Sequence, residues 1–245
     1  MKRFKVFAVA ATVLFLTACS TLQQVASVLV PSQYEMAGGL KDALSQGVFR
    51  GIDAFADPNG NPLVRFALPG DAAKIENALQ QWGLDKTFKQ VTQKYTNAMA
   101  TAVVAAKPIF LNSIKSMSIK DAAGILITDN THAATDYFKN TTTSNLMTAF
   151  RPIVDSTVKL QGADKDWKKI TSVYNAIPFI SKPLEDNLTD FVAARAIDAM
   201  FVSIANEEKN IRTNLSFRKT DMMKKVFAYA DDQMKKKNVQ YNLSK

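Results

Sequence analysis

The chain has 245 residues, a formal net charge of +9, 47% hydrophobic residues and 9% aromatic residues. That apolar content suffices for a packed core and argues against global disorder. One cysteine excludes an intramolecular disulfide and any Cys-based metal site, and one histidine excludes a two-His metal site.

The chain opens with the basic residues Lys2, Arg3 and Lys5, followed by an apolar run from Val6 to Leu16. That run is about eleven residues long, the length of a secretory h-region and too short to span a bilayer. Leu16-Thr17-Ala18-Cys19 follows and resembles the lipobox of bacterial lipoproteins: Leu at −3, small residues at −2 and −1, then the cysteine. The thiol is the nucleophile required to form a thioether to diacylglycerol, and the small residues let a signal peptidase grip extended backbone. Residues 1–18 are therefore expected to be a signal peptide and Cys19 the lipidated, palmitate-bearing first residue of the mature protein. Cleavage would lower the net charge from +9 to +6. Several acyl chains hold a protein to a membrane far more firmly than one myristoyl chain does. In Gram-negative lipoproteins an Asp after the cysteine tends to retain the protein at the inner membrane. By that resemblance Ser20 implies the inner leaflet of the outer membrane, facing the periplasm.

Residues 19–31 read as a lipidated tether ending at Pro31. Ser32-Gln33-Tyr34-Glu35 fits a capping box, so a helix is expected from there to about Ala56. Asp57-Pro58-Asn59-Gly60-Asn61-Pro62 is a turn cluster. Its Asp-x-Asn-x-Asn spacing resembles a calcium loop, but Pro62 and Leu68 occupy the positions that need Gly and a bidentate Glu, so no calcium site is expected. Leu63–Leu68 is a short apolar run that suggests one strand or short β-pair over residues 63–68.

Helical periodicity then takes over. One helix is expected from Asp71 to Trp82, stopping at Gly83. A longer one from Asp85 to Met117 carries Phe88, Val91, Tyr95, Ala98, Ala102 and Ile109 on one stripe and should kink at Pro108. A short helix opens at Ser118. Others are expected over 132–149, 152–160, 164–176, 187–213 and 219–236. No 20–50-residue repeat appears, and no later stretch is long and apolar enough to span a bilayer. The expectation is an all-α, single multi-helix domain over residues 32–236, with a polar tail at 237–245.

Catalytic signatures are missing: there is no Gly-x-Ser-x-Gly, no phosphate-binding glycine loop and no His-Glu-x-x-His. His132 falls at a helix start, where a solvated or capping role is the simpler reading. The basic balance does not suggest nucleic acid, because the lysines are scattered rather than interleaved with aromatics. A solvated surface is the plain reading of those lysines, and anionic lipid phosphates are the functional one. Lys235-Lys236-Lys237 is the densest patch.

The most informative segment is Asn187–Asn214. At about 100° per residue, Ala193, Ile197, Met200, Phe201, Ile204 and Ile211 share one face. Glu208 falls inside that face and Glu207 nearer its edge. A carboxylate in apolar surroundings must be paired or have its pKa raised. Arg212, four residues on, is a same-helix partner, and Arg218 is a second if the chain turns back after Asn214. The cluster Glu207, Glu208, Arg212 and Arg218 is thus a functional carboxylate site or a structural ion pair, and the structural reading is favoured.

Several stretches together look like the bacterial family catalogued as a domain of unknown function, number 4197. They are Gly39-Leu40-x-x-Ala43-Leu44-x-x-Gly47, Ala122-x-Gly124-Ile125-Leu126, Ala133-Ala134-Thr135-x-Tyr137-Phe138 and Phe201-x-x-Ile204-Ala205-x-Glu207-Glu208-x-x-Ile211-Arg212. Arg218-x-Thr220-Asp221 and Val226-Phe227 extend the likeness, which runs from about residue 36 to 228. Where the family usually reads Asn-Arg-Ala, this chain has Asn97-Ala98-Met99. The family has no established activity, so the resemblance implies export and domain extent without a mechanism.

The expected function is therefore a membrane-tethered periplasmic lipoprotein with a non-catalytic binding or structural domain and no cofactor or metal. Its partners would be the membrane, through Cys19, and an apolar ligand or envelope protein. The alternative is an acid/base hydrolase of envelope material using Glu207 or Glu208 with Arg212.

Overall fold

The computed structural model describes residues 30–57, 72–177 and 183–243. The expected signal peptide, Cys19, the turn cluster beyond Asp57 and the expected strand at 63–68 lie outside the described residues. Within them every regular element is a helix. In chain order these are α1 (Gln33–Ala56), α2 (Ala72–Gln81), α3 (Asp85–Val104), α4 (Ala106–Ser116), α5 (Ile119–Leu126), α6 (Ala133–Leu160), α7 (Ala163–Asn175), α8 (Thr189–Thr213), a 3-10 turn (Leu215–Phe217) and α9 (Asp221–Leu243). The class is all-α, as the periodicity implied.

Local chemistry accounts for most of the boundaries. The Ser32 hydroxyl accepts from the Glu35 amide at 3.2 Å while the Glu35 carboxylate accepts from the Ser32 amide at 2.8 Å, so the capping box at α1 forms as expected. Gly83 ends α2 at φ +69°, with its amide on the Gln80 carbonyl and the Leu84 amide on the Leu79 carbonyl, the pattern of a Schellman motif. Ser118 caps α5 by accepting from the Asp121 amide at 3.0 Å.

Two prolines act differently from the sequence-based expectation. The helix expected over 85–117 is divided at Ala105, with α3 ending at Val104, four residues before Pro108. Pro108 has no amide to donate to the Val104 carbonyl, and its ring crowds that oxygen. The buried row continues across the break from Ala102 through Ala106 to Phe110, and Ile109 is only half-buried. Pro152, expected to separate two helices, instead lies inside the continuous α6. It faces solvent, where the carbonyl it deprives of a donor can turn to water. The buried row Phe138, Thr142, Leu146, Phe150, Val154 and Val158 continues past it on the other side. At the C-terminus, α9 runs to Leu243, beyond the expected end at Lys236.

The helices sort into two units by their contacts. The larger comprises Ala43–Met117 and Asn130–Phe217. Its centre is α6, packed on α8, α3, α4 and α7. Phe110, Phe138 and Phe201 from α4, α6 and α8 meet edge to face at 5.1 and 6.0 Å. Each such fully buried side chain contributes about 1.5–3 kcal/mol. Glycines bring α1 close to α8. A Cβ on Gly51 would lie 3.1 Å from the Ile204 backbone, and one on Gly47 would lie 3.4 Å from Ile211. Because residues 47 and 51 face 211 and 204 respectively, the two helices run antiparallel. On the other side Trp167 of α7 packs edge-on to Tyr95 of α3 and donates its indole N–H to the Glu185 carbonyl at 2.8 Å.

The smaller unit joins the described part of Met1–Asp42 with Ser118–Asp129 and Arg218–Lys245. Here α1 and α9 run antiparallel. Glu35 pairs with Lys225 at 2.7 Å, Gly39 faces Val226 and the Met222 carbonyl, and Asp42 accepts from Thr220 at 3.3 Å. A Cβ on Gly39 would come within 2.5 Å of a Val226 methyl, so only glycine admits this approach.

Candidate functional site

The buried face expected on α8 is present: Ala193, Ile197, Met200, Phe201, Ile204 and Ile211 are all in the core, and Glu208 lies among them at 7% exposure. A carboxylate so placed needs its oxygens satisfied. Five hydrogen bonds do this. Oε1 accepts from the Ala134 amide at 3.0 Å and from Arg212 Nε and Nη2 at 3.0 and 2.9 Å. Oε2 accepts from the Thr135 amide at 2.9 Å and the Thr135 hydroxyl at 2.8 Å.

These donors identify what the residue does. Ala134 and Thr135 lie in the first turn of α6, whose N-cap residue, His132, makes no side-chain capping bond. The first amides of a helix have no intrahelical acceptor and carry the positive end of the helix dipole. Glu208 supplies the missing acceptors from a helix 73 and 74 residues away in sequence. Arg212, itself 11% exposed, completes the charge balance one turn along α8. The three-phenylalanine cluster beside this point ties α4, α6 and α8 together. Ser113 and Thr141 also share a hydrogen bond at 3.1 Å between α4 and α6. Glu208 thus meets the α6 terminus across a packed interface.

The other residues of the expected cluster divide. The ion pair on Glu208 is made by Arg212, whereas Arg218 pairs with Asp231 at 2.8 Å and lies over the Phe227 ring at 5.2 Å. Arg218 is 2% exposed and belongs to the smaller unit. Glu207, 17% exposed, has Oε2 3.4 Å from Arg50 Nε without a hydrogen bond to it. Arg50 in turn stacks on Phe217 at 5.1 Å. His132 is exposed, and its backbone amide donates to the Asn130 side chain at 2.9 Å. Ala98, at the position where the resembling family carries arginine, is fully buried in α3.

Spacing alone pointed to Arg212 but not to Ala134 and Thr135. One signal was available: α6 begins at a residue that is a poor N-cap, so its amides had to find an acceptor elsewhere. Among the described residues no group of His, Cys, Asp or Glu is arranged to hold a metal ion, and no helix is long and apolar enough to cross a membrane.

Comparison with curated proteins and with solved structures returned no match. The family model described as Protein of unknown function (DUF4197) matches residues 30–228. That span takes in the two helix starts, the glycine contacts of α1 and the whole Glu208–Arg212 site, and the chain belongs to this family.

Proposed function

We propose that this protein is a membrane-tethered lipoprotein of the bacterial cell envelope, anchored through Cys19 and facing the periplasm, whose helical body is a non-catalytic binding or structural domain. The observation that carries the second half of this reading is the saturation of Glu208. All five of its hydrogen bonds come from groups that hold α6 and α8 in place, so its oxygens are engaged by scaffold donors. General acid–base catalysis requires a carboxyl within reach of a substrate proton. The hydrolase alternative through Glu207 or Glu208 with Arg212 gains no support from this arrangement. The tether half rests on the Leu16-Thr17-Ala18-Cys19 lipobox and the apolar run before it.

Metabolic labelling with a palmitate analogue tests the anchor. The wild-type chain should carry label in the membrane fraction, and Cys19→Ala should lose both the label and the membrane retention. Label persisting on Cys19→Ala would remove the lipoprotein reading.

A further inference from the structure

Three placements within the smaller unit converge on one end of it. The tether enters at Val30, just before α1. The antiparallel pairing of α1 with α9, fixed by Glu35–Lys225 and Gly39–Val226, means that α9 beyond Lys225 extends past the start of α1. At 1.5 Å per residue, Lys236 lies roughly 16 Å beyond the Lys225 level. Lys237 then meets Asp129, just past the end of α5, at 3.1 Å. The tether exit, the last turns of α9 and the end of α5 therefore share one pole.

That pole has a composition of its own. Val30 and Tyr34 are 57% and 78% exposed, and Ile127, two residues before Asp129, is 37% exposed. Lys235, Lys236 and Lys237 are exposed as well. Asp232 and Asp129 pair with two of these lysines at the surface, so three cations stand against two anions. Exposed pairs of this kind open at little cost. Exposed aliphatic and tyrosine side chains at the start of α1, with a run of lysines further out along α9, match the headgroup layer of a bilayer, where tyrosine rings settle and lysines meet lipid phosphates.

The geometry points to this pole as a surface that lies on anionic phospholipid headgroups of the membrane to which Cys19 is tethered, an inference that rests on the anchored reading above. Only ten residues, and eleven Cα-to-Cα steps, separate Cys19 from Val30. Bond geometry lets them span at most about 35–40 Å, so the anchor keeps the pole at high effective concentration near the bilayer.

The test uses the full, lipidated chain in vesicles of bromine-labelled phosphatidylcholine with and without phosphatidylglycerol. Tyr34→Trp, at a solvent-exposed position, reports contact through quenching of its emission above that of the wild-type chain. Quenching is expected on the anionic vesicles. It should weaken in the Lys235→Gln/Lys236→Gln/Lys237→Gln variant, with the docked-to-undocked ratio falling about fivefold per lysine removed. A lipidated chain whose Tyr34→Trp emission stays unquenched overturns the surface and leaves the anchor standing. Quenching that ignores both phosphatidylglycerol and the lysines overturns the anionic-headgroup assignment. A concentration-dependent dimer lost in Tyr34→Glu would assign the face to a second copy of the chain instead. If Cys19 carries no lipid, the tether reading falls. The same quenching, measured on the unlipidated chain added to anionic vesicles, then decides the surface by itself.

Discussion

The starts of α1 and α6 solve the same problem by different means. At α1 the acceptors for the orphan amides come from within four residues, Ser32 and Glu35. At α6 they come from Glu208, more than seventy residues later. A local cap forms as soon as its own turn forms, and it survives changes elsewhere. A distant cap exists only once α6 and α8 are packed, so its energy is coupled to the packing that brings it there. Burial also raises the stakes: the α1 cap sits in water, which replaces a lost partner, whereas the Glu208 site is closed to water.

The strongest way to break this contrast is Glu208→Ala. It leaves Arg212 and the first α6 amides without their acceptor, and the loss of one member of a buried pair costs about 3–5 kcal/mol. Glu208→Gln should be nearly as damaging. Both oxygens accept from donors, so whichever way the amide is turned its NH2 meets another donor. Glu207→Ala, which removes an ion pair to the half-exposed Arg50 that makes no hydrogen bond, should cost about 1 kcal/mol or less. Chemical denaturation midpoints of the three variants measure this. A wild-type midpoint for Glu208→Ala would mean that Glu208 does not hold the start of α6 in place.

Next in size is Gly51→Ala. The added Cβ would lie 3.0–3.1 Å from Ile204, two of the contacts being backbone that cannot swing away. Overpacking of this kind costs about 1–3 kcal/mol. The change pushes on α8 and so on the long-range cap. Hydrogen exchange at the Ala134 and Thr135 amides should therefore quicken, while the Glu35 amide keeps its protection. Gly38→Ala is the control: it meets nothing within 4 Å and should gain about 0.5–1 kcal/mol. Equal protection of both caps in Gly51→Ala would show that the distant cap is not coupled to helix packing.

The smallest effect belongs to the local cap. Ser32→Ala should cost about 1 kcal/mol and loosen the Glu35 amide without altering exchange at Ala134 and Thr135. This cap also carries a pH signature. Hydrogen bonding to Lys225, and then to Ser32, lowers the Glu35 pKa from 4.5 to about 2. A folded-state pKa below the unfolded one means that the unfolded chain binds the extra proton. The contribution is complete above pH 4.5 and is lost as pH falls from there toward about 2. Glu35→Gln should flatten that part of the stability profile, as read by denaturation at a series of acidic pH values. An unchanged profile would show that Glu35 is not the group responsible.

What could be read from the chain alone follows the same division. The α1 capping box, the Gly83 stop, the Ser118 cap and the apolar face of α8 were all legible, because each depends on a few neighbouring residues or on a single period. The Arg212 partnership was legible because one helical turn separates it from Glu208. The two prolines were misjudged for opposite reasons. Pro108 ends the preceding helix four residues upstream, where the missing hydrogen bond falls, and Pro152 is absorbed because its solvent-facing side leaves the packed row of α6 intact. The resemblance indicated the family and its extent.

The sequence by itself determined that this protein is helical, where most of its helices begin and end, and which face of α8 goes inward, since propensity, capping and periodicity act over a handful of residues. Only the tertiary structure decided that Glu208 closes the start of α6, that Arg218 answers to Asp231, and that Gly39 and Gly51 are points of near-contact between helices. Those facts depend on which surfaces meet across long stretches of chain, a choice made by the sum of many small packing energies that no local pattern records.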